Sequence, residues 1–207
     1  TNINPGGIVI GDFDRDGKPD LAVTNYGSNN ISVFRNTSTS GTVSFATKVD
    51  FSTGLNPLTV TVNDLDNDGK LDFAVANYWG SSISIFRNTA TANAAFTSAS
   101  FATPTTLSAL ANPRSIKAAD FDGNGKVDLA ICYVTNNYVS VFRNTSTTGS
   151  ISYATKADFA TGNLGTWLAI GDLNGDAKTD IAVTNQTDNT VSVFQNTSTS
   201  GTVSFST

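Results

Sequence analysis

The chain has no histidine, no glutamate and no methionine, and one cysteine among its 207 residues. Each gap removes a class of chemistry. Without histidine there is no imidazole to act as general base or to activate a nucleophile, and the commonest metal ligand is missing. One cysteine allows no internal disulfide, and Cys132, aligned with Thr24, Ala76 and Thr184, is read as a packed core residue. No apolar run is long enough to cross a bilayer as a helix, so no membrane span is expected. The 12 Lys and Arg are scattered without a basic stripe, which argues against nucleic acid as a partner. With glutamate absent, all 17 acidic side chains are aspartates, and only Asp50, Asp158 and Asp188 lie outside four short loops. Asp50 and Asp158 occupy equivalent positions in different repeats, so no carboxylate pair is evident and the chain is expected not to be an enzyme.

What is abundant is one acidic loop, written four times. It reads Asp12-Phe-Asp14-Arg-Asp16-Gly17-Lys18-Pro-Asp20, then Asp64-Leu-Asp66-Asn-Asp68-Gly69-Lys70-Leu-Asp72. It returns as Asp120-Phe-Asp122-Gly-Asn124-Gly125-Lys126-Val-Asp128 and Asp172-Leu-Asn174-Gly-Asp176-Ala177-Lys178-Thr-Asp180. Three or four carboxylates in one tight loop repel one another unless a cation sits among them. An all-oxygen donor set of this kind suits calcium. Up to four Ca2+ are therefore expected, one per repeat. An EF-hand is excluded, because position 12 holds Val23, Val75, Ile131 and Val183 instead of the bidentate Glu. The flanks, such as Gly7-Ile-Val-Ile-Gly11 and Leu21-Ala-Val-Thr24, are short and β-branched, so the loop is a hairpin connection. Ala177 replaces the glycine at position 6, and a positive φ there would strain it by roughly 1 kcal/mol. Asn124 and Asn174 lower the ligand charge of loops 3 and 4, so loops 1 and 2 are expected to bind more tightly.

The first loop residue recurs at 12, 64, 120 and 172. Downstream, a strand repeats almost verbatim: Ile31-Ser-Val-Phe-Arg-Asn36, Ile83-Ser-Ile-Phe-Arg-Asn88, Val139-Ser-Val-Phe-Arg-Asn144 and Val191-Ser-Val-Phe-Gln-Asn196. A fourth strand is expected at Val43–Thr47, Ile151–Thr155 and Val203–Thr207, with a degenerate version near Ala94–Thr97. Four strands per period of about fifty residues describe propeller blades. The fold class is all-β: a propeller, or propeller segment, of four antiparallel blades, 1–52, 53–108, 109–160 and 161–207. Four units sit at the low end of propeller sizes; the readings are a closed four-blade ring, a fragment of a longer protein and a half-ring completed by another chain, and one of the last two is expected.

These strings resemble the FG-GAP/VCBS-type repeats, which are similar to the calcium-loop blades of integrin α subunits. The resemblance covers essentially all 207 residues, although Phe51-Ser-Thr-Gly54 with Asn56-Pro57 is the nearest echo of the FG and GAP signatures. It implies that side chains at loop positions 1, 3, 5 and 9 hold calcium together with the backbone carbonyl at position 7. That carbonyl belongs to Lys18, Lys70, Lys126 and Lys178, whose ammonium groups are expected to point to water.

The turns between strands 2 and 3 vary and carry aromatics at the end of each blade opposite the acidic loops. Tyr26, Tyr78, Trp79, Tyr133 and Tyr138, joined by Trp167 from a connection between blades, are the candidate ligand face for a carbohydrate or protein. Calcium loops of this type fill at the millimolar concentrations outside cells, so the protein is expected to be secreted or at the cell surface. The expected function is a calcium-stabilised, non-catalytic binding or adhesion module. The alternatives are self-assembly into a surface layer or fibre through propeller edges, and an accessory domain of a polysaccharide-active enzyme.

Overall fold

Short β-branched and apolar runs recur along the chain between Gly- and Asn-bearing turns, and the computed structural model, which describes residues 1–207, turns them into sixteen strands and no helix. They form four antiparallel four-stranded sheets in sequence order. The first holds β1 (Pro5–Gly11), β2 (Asp20–Asn25), β3 (Asn30–Phe34) and β4 (Val49–Ser52). The second holds β5 (Pro57–Asn63), β6 (Asp72–Asn77), β7 (Ser82–Phe86) and β8 (Thr105–Ser108). The third holds β9 (Pro113–Ala119), β10 (Asp128–Tyr133), β11 (Tyr138–Phe142) and β12 (Ala157–Ala160). The fourth holds β13 (Gly165–Gly171), β14 (Asp180–Asn185), β15 (Thr190–Asn196) and β16 (Phe205–Ser206). Each acidic loop is the hairpin between a sheet's first two strands, with the ninth loop residue opening the second: Gly11 pairs with Asp20 and Gly171 with Asp180.

The expected fourth strand is corrected in the first three sheets. Residues 43–47 contribute only the isolated bridge Asn36–Phe45, and the strand forms at Val49–Ser52. The reason is alternation: Phe51 is buried, whereas Asp50 reaches the Ser32 hydroxyl. In the fourth sheet, Phe205–Ser206 pairs with Gln195 and Asn196, as anticipated.

Two compact units emerge. The first comprises residues 1–63 and 69–109, the second residues 64–68 and 110–207. In the first, Ala22, Ile31 and Val33 of one sheet pack with Val60 and Phe73 of the next. The rings of Phe13, Phe73 and Phe101 interlock there, with centroids 4.8 Å and 4.6 Å apart. In the second, Val139, Val141 and Cys132 pack with Leu168, Ile181, Val183 and Phe194. Cys132 is fully buried, and burial pushes its thiol up to about 12, which leaves it inert.

The serine of the repeated strand is buried in the first three sheets and half-buried in the fourth, and it is hydrogen-bonded. Asn25 donates to Ser32, whose hydroxyl donates to Asp50 at 2.6 Å. Asn185 donates to Ser192 at 2.8 Å, and Ser140 donates to Asp158. A buried polar group that is satisfied in this way specifies register without a desolvation cost.

Candidate metal centres and binding face

Loop position 1 folds each turn around itself. Asp12 accepts the N–H groups of Asp16 and Gly17 at 3.0 and 2.9 Å, and Asp120 accepts those of Asn124 and Gly125 at 3.2 and 2.7 Å. Asp172 does the same for Asp176 and Ala177, and these backbone donors, Ala177 first, hold its carboxyl below the ordinary carboxylate value. The sixth residue is left-handed throughout: Gly17, Gly69 and Gly125 at φ +84°, +81° and +81°, and Ala177 at +66°.

Position 9 is a clamp. Asp20 is fully buried and accepts Phe13 N–H at 2.9 Å and Asn36 N–H at 2.8 Å. Asp128 accepts Phe121 and Asn144 N–H at 3.0 and 2.6 Å, and Asp180 accepts Leu173 and Asn196 N–H at 2.9 and 2.7 Å. Burial raises Asp128 to about 6 against the pull of those donors, and burial raises Asp20 as well.

This folding brings carboxylates together at positions 1, 3 and 9. Asp12, Asp14 and Asp20 converge in the first hairpin, Asp64, Asp66 and Asp72 in the second, and Asp120, Asp122 and Asp128 in the third, ligand atoms within 4.8 Å. Position 5 stands outside the triads. Asp16 accepts Lys18 N–H at 2.9 Å, and Asn124 accepts Lys126 N–H at 2.8 Å. The fourth hairpin forms no such triad: Asn174 supplies an amide at position 3, and Asp172, Asn174 and Asp176 are all exposed. In carboxylate geometry, the division falls between the first three loops and the fourth.

The residues present fit a hard cation. Asp66 is buried, its Oδ1 has no hydrogen-bond partner, and burial holds its carboxyl above the ordinary range. A buried carboxylate oxygen without a donor is costly unless a positive charge meets it. An oxygen-only donor set selects calcium-like ions over soft ones. Asp64, Asp66 and Asp72 would hold such an ion in the second loop, with equivalent triads in the first and third. In the first loop, Arg35 supplies positive charge from within the chain, donating Nε to Asp14 and a second nitrogen to Asp16 at 2.9 Å.

Two expectations about these loops change. The Lys126 and Lys178 ammonium groups do not point to water; they donate to the carbonyls of Ser146 and Ser198 at 2.7 and 2.9 Å, closing the loop against the turn after β11 or β15. The asparagine ending each repeated strand was not singled out as a site residue, yet it joins one repeat to the one before. Asn88 Nδ2 donates to Leu71 O and to Phe13 O, the latter at 2.8 Å. Asn144 reaches Val127 O and Leu65 O, and Asn196 reaches Thr179 O and Phe121 O. Its presence in all four copies was the available signal. Beside it, Gly149 N–H donates to Asp66 and Gly201 N–H to Asp122, each at 3.0 Å.

The aromatic residues separate. In the first unit, Tyr26 and Tyr78 lie 6.4 Å apart, and Tyr78 meets Trp79 edge-on at 5.1 Å. Trp79 is 61% exposed, and the exposed Leu55, missed in the sequence, stands where Gly80 N–H meets its carbonyl. In the second unit, Trp167 is exposed beneath the Arg114 guanidinium, 5.6 Å from the ring centroid, and Tyr138 is also exposed. Tyr133 is removed from the candidate face: it ends the fully buried strand β10, and its side chain is inaccessible.

Models of the FG-GAP-like repeat match residues 12–75, 64–131 and 126–183, and an FG-GAP repeat model matches residues 164–204. No curated protein matches the chain. Among solved structures it is similar to BBS1N in complex with ARL6DN soaked with lead, at 13% identity and TM-score 0.61, covering 98% of this chain and 57% of that one. The mercury-soaked counterpart gives 14% identity and TM-score 0.57, covering 96% and 53%. The chain thus spans little more than half the length of these structures, and the likeness is one of fold. The Vibrio cholerae (V. cholerae) biofilm matrix protein Bap1 is similar at 15% identity and TM-score 0.48, over 96% of this chain and 39% of that one.

Proposed function

Since this chain belongs to the FG-GAP-like repeat family, we propose that it is a calcium-stabilised, non-catalytic binding or adhesion module acting outside the cell or at its surface. The observation that carries the binding role is the Tyr26–Tyr78–Trp79 cluster, an aromatic patch in which Trp79 is 61% exposed. A large aromatic left in water on a tight turn offers a flat, apolar surface to a sugar ring or a partner's side chain. The patch lies at the end of its strands away from the acidic loops, so calcium shapes the blade without joining the contact. The similar BBS1N structure was captured with a protein partner, which is compatible with a protein ligand here.

A non-catalytic role is supported by the fate of the remaining acids. Burial pushes Asp50 up, but Lys48, Ser32 and Asn2 outweigh it with hydrogen bonds and hold the carboxyl down. Asp158 is held by Ser140 and Lys156, and Asp188 accepts from Asn163. All three are engaged in structural contacts. The extracellular placement rests on the loops' chemistry, since sites of this kind fill where calcium is millimolar.

The test is a glycan and extracellular-protein array, probed in calcium with the native chain and with Trp79→Ala. Binding that falls at least about tenfold in the variant is the expected result, the size of a hot-spot aromatic. Equal binding by both, or no binding by either, would count against this face.

A further inference from the structure

The position-3 aspartate is oriented alike in the first and third loops: Asp14 Oδ1 accepts Asp16 N–H and Asp122 Oδ1 accepts Asn124 N–H, each at 3.2 Å. What meets the second oxygen differs. Asp122 Oδ2 receives Gly201 N–H and the Asn124 side-chain amide, both at 3.0 Å and both neutral. In the first loop the following repeat bypasses this oxygen, because Asn93 N–H donates at 2.7 Å to the backbone carbonyl of Asp14. Asp14 Oδ2 is met by the Nε of Arg35, which ends the repeated strand of its own sheet.

The two kinds of donor differ in charge. An amide N–H satisfies an oxygen and leaves the carboxylate its full negative charge, whereas a guanidinium stays positive at any working pH and cancels that charge. Arg35 also spans the loop. A second nitrogen donates to Asp16 at 2.9 Å, so the carboxylates at positions 3 and 5 share one fork. The Asp14 side chain is fully buried and that of Arg35 only 23% exposed, so water screens the pair weakly. The third loop offers an arginine no such pair, because position 5 is Asn124, which accepts Lys126 N–H. In the fourth repeat the residue aligned with Arg35 is Gln195.

Taking the loops as calcium sites, as proposed above, we infer that Arg35 is a built-in counter-ion that sets the calcium affinity of the first loop. It holds the loop's acids together without metal, and its fixed charge repels an arriving cation. The additional carboxylate that distinguishes this loop from the third, Asp16, is therefore spent on Arg35 and does not tighten the site.

Calorimetric calcium titrations of the native chain, Arg35→Gln and Arg35→Lys test this, with Asp12→Asn added to each to identify the first loop's contribution. Arg35→Gln, which installs the residue of the fourth repeat, should tighten the first loop at least about tenfold, and Arg35→Lys, which keeps the charge, should change it less than about threefold. Thermal midpoints supply a second readout. Arg35→Gln should lower the midpoint in EDTA, where Asp14 is left buried without its cation, yet enlarge the rise on adding calcium. A purely structural arginine would lower the midpoint and leave calcium affinity unchanged. Arg35→Met keeps the aliphatic stem without the charge and serves if the glutamine variant does not fold. If the native chain binds calcium and the uncharged variants bind it no more tightly, the role of Arg35 is overturned and the calcium reading stands. If the native chain binds none, both fall.

Discussion

Ala177 has a left-handed backbone with φ +66°, in the place where three other loops carry glycine. A β-carbon there costs conformational energy even where space is open, and nothing lies within 4 Å of the position a Cβ would take at Gly17, Gly69 or Gly125. Ala177→Gly should therefore stabilise the protein by roughly 1 kcal/mol, read as a higher urea midpoint in EDTA; an unchanged or lower midpoint would contradict it. This strain was legible in the sequence, because one loop in four broke a repeated pattern. So were the aspartates at positions 1, 3 and 9, since the reason for their spacing is local. The reach of Asn88, Asn144 and Asn196 was not legible, because each accepting carbonyl lies 75 to 79 residues earlier in the chain. Tyr133 misled for a related reason. Tyrosine beside a turn is ambiguous until the strand's burial is known, and β10 is buried along its whole length. Asn30, Asn36, Asn144, Asn185 and Asn196 open Asn-X-Ser/Thr triplets; Asn30 is half-buried, and the other four are buried and hydrogen-bonded, which makes those four unsuitable as glycan acceptors.

The acidic hairpin is an element whose stability depends on pH with a definite sign. Burial holds Asp20, Asp66 and Asp128 above their ordinary value, Asp128 at about 6. A carboxyl raised in the folded state favours folding in its protonated form. Its contribution is full below about pH 4 and is lost as pH rises through about 6, worth up to about 3 kcal/mol for Asp128. In EDTA, the thermal midpoint should therefore fall between pH 4 and pH 6.5. With calcium, the dependence should invert over the same range, because a cation binds the ionised form and protons compete with it. A midpoint that ignores both EDTA and pH in this window would refute the metal assignment. The hairpin itself was predictable from β-branched flanks around a glycine-bearing turn. The fourth strand was not, because two candidate segments of similar composition lie a few residues apart, and only the partner Ser32 selects Val49–Ser52.

Across the whole molecule, charge is concentrated where ions are expected to bind. The formal charge is −5, so three divalent ions would carry it past zero to +1 and four would carry it to +3. Electrophoretic mobility should reverse sign on calcium titration at pH 7, with a small positive charge if only the three carboxylate triads fill. A chain that stays anionic in saturating calcium would limit occupancy to two sites or fewer. The periodicity that revealed four units in the sequence reappears as four sheets of one topology. The two separate cores were not visible, because the apolar residues of every repeat are nearly the same. The asparagine at the end of the third strand carries one more implication. It holds its own repeat's loop with one bond and the earlier repeat's loop with another. Copying or deleting one whole repeat during evolution would thus restore the same bonds at the new seam. The bonds are indifferent to how many repeats the chain holds, so repeat number can change without a new kind of seam, whereas spacing within a repeat varies, as the uneven steps between positions 12, 64, 120 and 172 show.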